Sequence, residues 1–129
     1  MAFIADTVLD GGLSYIADTG DTLHLCSQEP TTYTEASSTY TLANIALTEG
    51  DGNGDYTIAA GDTSGRKITL GAQTVNVTGS GTATHYAIVD AVGSELIATN
   101  TMQNVALSGS GTQDVSAVDV LELQDPVSE

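Results

Sequence analysis

Apolar and polar residues alternate along most of this chain in short runs, and each run ends in Gly, Asp, Asn or Ser. A period of two over a handful of residues marks a half-buried strand, and the flanking small polar residues mark turns. The stretches TLHLCSQ (22–28), TYTLANIALTE (39–49), DYTIAA (55–60), RKITLGA (66–72) and TVNVTG (74–79) read this way. So do THYAIVDAV (84–92), SELIATNTM (94–102), NVALSG (104–109) and DVSAVDVLEL (114–123). EPTTYTEASST (29–39) reads as a loop with one helical turn. DYTIAA and RKITLGA flank the turn-rich GDTSG and predict a hairpin, and a second hairpin is expected to turn near Val92–Ser94. Many short strands with frequent turn signals predict a mainly β single domain, a sandwich or small barrel.

The first residues follow another period. Ile4, Val8, Leu9, Leu13 and Ile16 recur at helical spacing, with Asp6 near the start. Gly11 and Gly12 interrupt the pattern, each costing a helix about 1 kcal/mol. The expectation is a short N-terminal helix or two broken turns over 1–20, followed by a β domain over 21–129, in one globular unit. With Phe3 the apolar stripe is large for so short a piece. It packs on the protein's own sheet or serves as an arm on a partner, and Phe3, Ile4, Val8 and Leu9 are its candidate interface residues.

There is also an internal echo. VNVTGSGTATHYAIVD (75–90) resembles VALSGSGTQDVSAVDV (105–120), thirty positions later. Each unit reads as strand, Gly-Ser-Gly turn and strand, which predicts two similar hairpins, adjacent in one sheet.

Charge narrows the partners. The chain has 129 residues, with 17 acidic and 2 basic side chains, for a formal net charge of −15. Nucleic-acid binding rests on Lys and Arg neutralising phosphate, so this balance argues against it and against an anionic membrane surface. The N-terminus shows no basic start or continuous apolar run of an export signal, and synthesis in a cytoplasm is the expectation. Cys26 is the single cysteine, which excludes an intramolecular disulfide.

Three constellations invite chemistry. Asp51, Asn53 and Asp55 sit at alternate positions, with Asp62 at the twelfth, as in a calcium loop. Tyr56 stands where the sharp turn of such a loop requires Gly, and the flanks read as strands, so a solvated Gly-Asp-Asn turn is the plainer reading. Arg66 and Lys67 are the only two cations and point to opposite faces of a strand. One screens Asp62 or Asp55, and the other is a candidate interface residue. His24 and Cys26 share a strand face, but no second Cys accompanies them, and a lone buried Cys behaves as a small hydrophobe. No phosphate loop or serine-nucleophile elbow is present, so no catalytic residue is assigned and no enzymatic activity is expected.

Several stretches together carry a resemblance: MAFIADTVLDGGLSYI, LCSQEPTTYTEASSTYTL, GDYTIAAGDTSGRKITLGAQ, GTATHYAIVDAVGSELIATN and DVLELQDP. In order and over nearly the whole chain, they resemble a family of small virion structural proteins of tailed bacteriophages. The CSQEPTTYTEA and DTSGRKIT pieces are its most specific parts. The resemblance implies a particle component, foremost a capsid decoration (cement) protein. Its partners would be the major capsid protein and further copies of itself, with a homotrimer expected, and its location the capsid surface of the virion. It implies no catalytic residue and no cofactor. The alternatives are a tail or adsorption-fibre component, and a carbohydrate- or calcium-dependent adhesion module that uses Asp51–Asp55.

Overall fold

The computed structural model describes residues 5–123. A helix, α1 (Asp6–Thr19), leads into nine strands: β1 (Thr22–Cys26), β2 (Thr41–Ala46), β3 (Tyr56–Ala60), β4 (Arg66–Leu70), β5 (Gln73–Val77), β6 (Ser80–Asp90), β7 (Glu95–Ser108), β8 (Thr112–Val115) and β9 (Val118–Leu123). Six form a curled half-barrel sheet in the order β7-β6-β1-β2-β5-β8, and three form a second sheet, β3-β4-β9. The mainly β architecture with an N-terminal helix is therefore what this sequence adopts.

The helix runs unbroken through Gly11 and Gly12. Its apolar face, Leu9, Leu13, Ile16 and Ala17, is buried and packs toward β3 and β4. That burial offsets the two glycine penalties, because tertiary packing supplies most of a short helix's stability. Gly12 also has a local use: a Cβ there would stand 3.4 Å from Leu123 Cδ1 on β9. The helix ends where the Gly20 N–H donates to the Ile16 carbonyl at 2.8 Å.

Leu23 and Leu25 of β1 and Tyr56, Ile68 and Leu70 of the small sheet fill one core with the helix. The other face of β1 is covered as well. Residues 27–40 fold over it around a single π-helical turn, Glu35–Thr39, and Ala36 packs with Cys26, Ala87 and Val89. β1 is thus buried on both faces, which explains its nearly continuous apolar run.

Both expected hairpins form. β3 pairs with β4 from Tyr56↔Leu70 to Ala60↔Arg66. β6 pairs with β7 across a turn in which Ser94 takes φ 55°.

The echo units do not fold as hairpins. β5 pairs with β2 and β8, and β6 with β1 and β7. Each Gly-Ser-Gly is a corner that sends the chain to a non-adjacent strand. Gly81, Gly109 and Gly111 all have positive φ, open to glycine without strain. Thr78 and Gly79 both donate their N–H to the Leu42 carbonyl, which holds the first corner against β2. The two units instead pair with each other, β5 with β8 and β6 with β7, so their adjacency holds in a form that the local pattern could not specify.

Two further strands differ from the sequence reading. Residues 95–108 form one long strand rather than two, and 114–123 divides between β8 and β9 in different sheets.

Candidate functional site

The acidic loop satisfies its own backbone. Asp51 Oδ1 accepts from the Ile58 N–H at 2.8 Å, and Asn53 Nδ2 donates to the Glu49 carbonyl at 2.9 Å. Asp55 accepts from the Thr48 N–H and, at 2.9 Å, from Gln73 Nε2. Gly50, Gly52 and Gly54 all take positive φ, the conformation that such a turn needs. Asp62 lies beyond the far end of β3, about 16 Å along a five-residue strand, and receives Lys67 Nζ at 2.8 Å. The fold therefore separates Asp62 from Asp51, Asn53 and Asp55, and among the described residues no three His, Cys, Asp or Glu side chains gather as a metal-ligand group.

Both cations are engaged within the molecule. Arg66 Nε meets Asp10 Oδ1 at 2.7 Å and ties α1 to β4. Lys67 Nζ bridges Asp62 and Asp119, on the opposite face of the strand. The Asp62 hydrogen bond, with Asp119 as a second partner, raises the lysine pKa. The Thr69 hydroxyl and Lys67 hold the Asp119 carboxyl below the usual carboxylate range. Lys67 screens Asp62 as the sequence suggests, whereas the Arg66–Asp10 contact to the helix was not legible.

The helix divides its candidate residues. Leu9 is buried in the core, while Val8 is 64% exposed and stays available to a partner. Phe3 and Ile4 lie outside the described residues. Tyr15, also outward, donates its hydroxyl to Glu95 at the start of β7.

His24 and Cys26 do share a face, under the 27–40 loop. The Thr41 hydroxyl donates to the Ala43 carbonyl at 3.2 Å, so its 2.9 Å contact with His24 Nδ1 is one in which the imidazole N–H donates. Burial keeps this ring neutral by lowering its pKa. Burial also pushes the Cys26 thiol up to about 11, and its Sγ faces the Ala36 carbonyl at 3.7 Å. A thiol so held is a core side chain rather than a nucleophile.

One concave feature among the described residues has no counterpart in the sequence patterns. A cleft of about 380 Å³ opens between the two edges of the half-barrel, with β7 on one side and the β8–β9 corner on the other. Leu23, Leu70 and Tyr86, all buried, form its floor, and Met102, Val105 and Val115 line it higher up. Its mouth is shaped by an irregularity. His85 pairs with Thr101 and Ala83 with Val105, so Thr84 alone opposes Met102, Gln103 and Asn104. That bulge arches β7 away from its neighbour, as bulges at sheet edges do.

Tyr86 is 97% buried in this floor, being 3% exposed, and its hydroxyl has no hydrogen-bond partner among the described residues. Burial raises its pKa, so it stays a phenol that can both donate and accept. A buried hydroxyl without a partner adds nothing to stability and carries a desolvation cost. One sequence signal for the site exists in retrospect: Asn100, Gln103 and Asn104 cluster amides in the middle of an otherwise strand-like stretch.

Comparisons with protein families, with curated proteins and with solved structures return no match to this chain. Among the described residues no helix is long and apolar enough to cross a membrane.

Proposed function

We propose that this protein is a virion structural component of a tailed bacteriophage, a decoration protein that binds the outer capsid surface and strengthens it. The observation that carries this reading is the contrast between β7 and the rest of the surface. From Leu96 to Ser108 this edge strand holds no ionisable side chain, in a chain of net charge −15. Soluble proteins ordinarily blunt a long sheet edge with Lys, Pro or inward charges, because bare edges add strands from other chains. An uncharged edge on an acidic β body suits a protein that must stay dispersed before assembly and then adhere. The reading also rests on the resemblance to phage virion proteins drawn from stretches such as CSQEPTTYTEA and DTSGRKIT.

The partner in this reading is the major capsid protein, with other copies of this chain meeting around a symmetry axis as a homotrimer. Many weak contacts on one shell add up through effective concentration. The test is to mix purified protein with particles that lack it and to image the product. Density over the head at regular positions is the expected result. Label confined to the tail would replace this reading with a tail component, and no particle binding would remove both.

A further inference from the structure

Two sheet edges and one orphaned hydroxyl converge on a single cleft. β7 and β8 are the terminal strands of the six-stranded sheet, and both line it. Their backbones carry local substitutes for a strand. The Thr101 N–H donates to the side chain of its own neighbour, Asn100 Oδ1, at 2.8 Å. The Asp114 carbonyl accepts from its neighbour Gln113 Nε2 at 3.0 Å. Amide side chains of adjacent residues thus take up backbone groups of the two terminal strands, local contacts of the kind that compete with sheet pairing. Behind them, Tyr86 offers a phenol that has no hydrogen-bond partner among the described residues. Met102, unbranched and adaptable, lines the same cleft and is able to give way to an entering side chain.

We propose that this cleft is a strand-acceptor site: an extended segment of a partner protein lies along the β7 edge and sets a hydrogen-bonding side chain on Tyr86. Strand addition supplies main-chain hydrogen bonds for affinity and a pocket under alternate residues for selectivity, and both elements are present here. The volume, about 380 Å³, holds one or two side chains rather than a large cofactor.

Charge decides the chemistry of the occupant. The cleft is lined by amides, hydroxyls and apolar groups, and among the described residues its one carboxylate is that of Asp114, whose Oδ1 accepts from the Thr74 hydroxyl at 2.9 Å. Arg66 and Lys67 are committed to Asp10, Asp62 and Asp119, so the surroundings attract cations. The segment that fits has an uncharged core of alternating hydroxyl and aliphatic residues and basic residues at its ends. A second copy of this chain brings a further −15 and is disfavoured as the occupant. The inference deepens the docking role proposed above, but it stands or falls on peptide binding and involves no particle, so the two can fail separately.

The probe is an acetylated, amidated decapeptide, Lys-Lys-Thr-Val-Thr-Ser-Thr-Val-Lys-Lys, with the same core flanked by Glu as its control. It is titrated into the full chain while NMR follows the Tyr86 ring and amide exchange at residues 101–105 and 113–116. The lysine-flanked peptide is expected to shift the Tyr86 ring and protect the β7 edge, and to bind at least tenfold more tightly than the control. Tyr86→Phe, which removes one hydroxyl and should keep its melting temperature, is expected to weaken binding about tenfold, as loss of one buried hydrogen bond does. Gln103→Pro, which removes one N–H of the β7 bulge, should abolish protection along β7. The inference is overturned if neither peptide moves these signals, if both bind equally, if Tyr86→Phe binds like the parent, or if light scattering shows a dimer of the free chain that Gln103→Pro converts to monomer.

Discussion

Two tyrosines set the closed and the open side of this molecule against each other. Tyr56 on β3 and Tyr86 on β6 are both buried in the same core. The Tyr56 hydroxyl donates to the Gly20 carbonyl at 2.7 Å and stitches the end of α1 to the small sheet. The Tyr86 hydroxyl, under the gap between β7 and β8, bonds to nothing among the described residues. One seam is sealed by a tyrosine with a partner and the other is left with a tyrosine awaiting one. A buried polar group without a partner lowers stability, so the open side carries a cost that the sealed side does not.

The sealed side should be the more fragile. A Cβ at Gly20 would meet Tyr56 Oη at 2.5 Å, Ile88 Cγ2 at 2.6 Å and the Ile16 carbonyl at 2.8 Å. Gly20→Ala is therefore expected to cost about 1–3 kcal/mol through overpacking, measured by urea unfolding. A wild-type midpoint would show that the seam is looser than described.

The next test sets the tyrosines side by side. Tyr56→Phe removes a satisfied buried hydrogen bond and should destabilise by about 1 kcal/mol. Tyr86→Phe removes only an unsatisfied hydroxyl and should leave the unfolding free energy unchanged or slightly higher. Equal losses from the two variants would mean that Tyr86 has a partner in solution, and the contrast would disappear.

The smallest expected effect is a pH slope from the face of β1 that neither tyrosine touches. Burial holds the folded pKa of His24 below its ordinary 6.5. Between the folded value and 6.5 the unfolded chain binds more protons at this site than the folded one, so stability rises with pH there. His24's contribution is complete above about pH 6.5 and declines as the solution is acidified below it. Thermal melts from neutral pH into the mildly acidic range should show a falling midpoint, and His24→Gln should flatten that part of the slope. The same slope in the variant would assign it to other groups.

Much of the fold was legible because its signals are local. Alternation marked the strand regions, GDTSG and the turn near Val92–Ser94 marked two hairpins, and the spacing of Leu9, Leu13 and Ile16 marked the helix. The ambiguities fall where local chemistry admits two outcomes. Gly-Ser-Gly permits a hairpin or a corner, and the Leu42 carbonyl that receives Thr78 and Gly79 chooses the corner from far along the chain. Asp51, Asn53 and Asp55 hold the spacing of calcium ligands, which a turn also uses: the Ile58 and Thr48 N–H groups and the Gln73 amide donate to Asp51 and Asp55, and the Asn53 amide donates to the Glu49 carbonyl.

Alternation, charge and turn chemistry are properties of neighbours in the chain, and they were enough to make this protein an acidic, pleated domain with a helix at its start. The Arg66–Asp10 contact spans 56 positions, and the pairing of the echo units and the cleft over Tyr86 likewise join distant segments or set two sheet edges face to face. No periodicity encodes such distances. They were settled by how the sheet curls and by which edges it leaves unpaired.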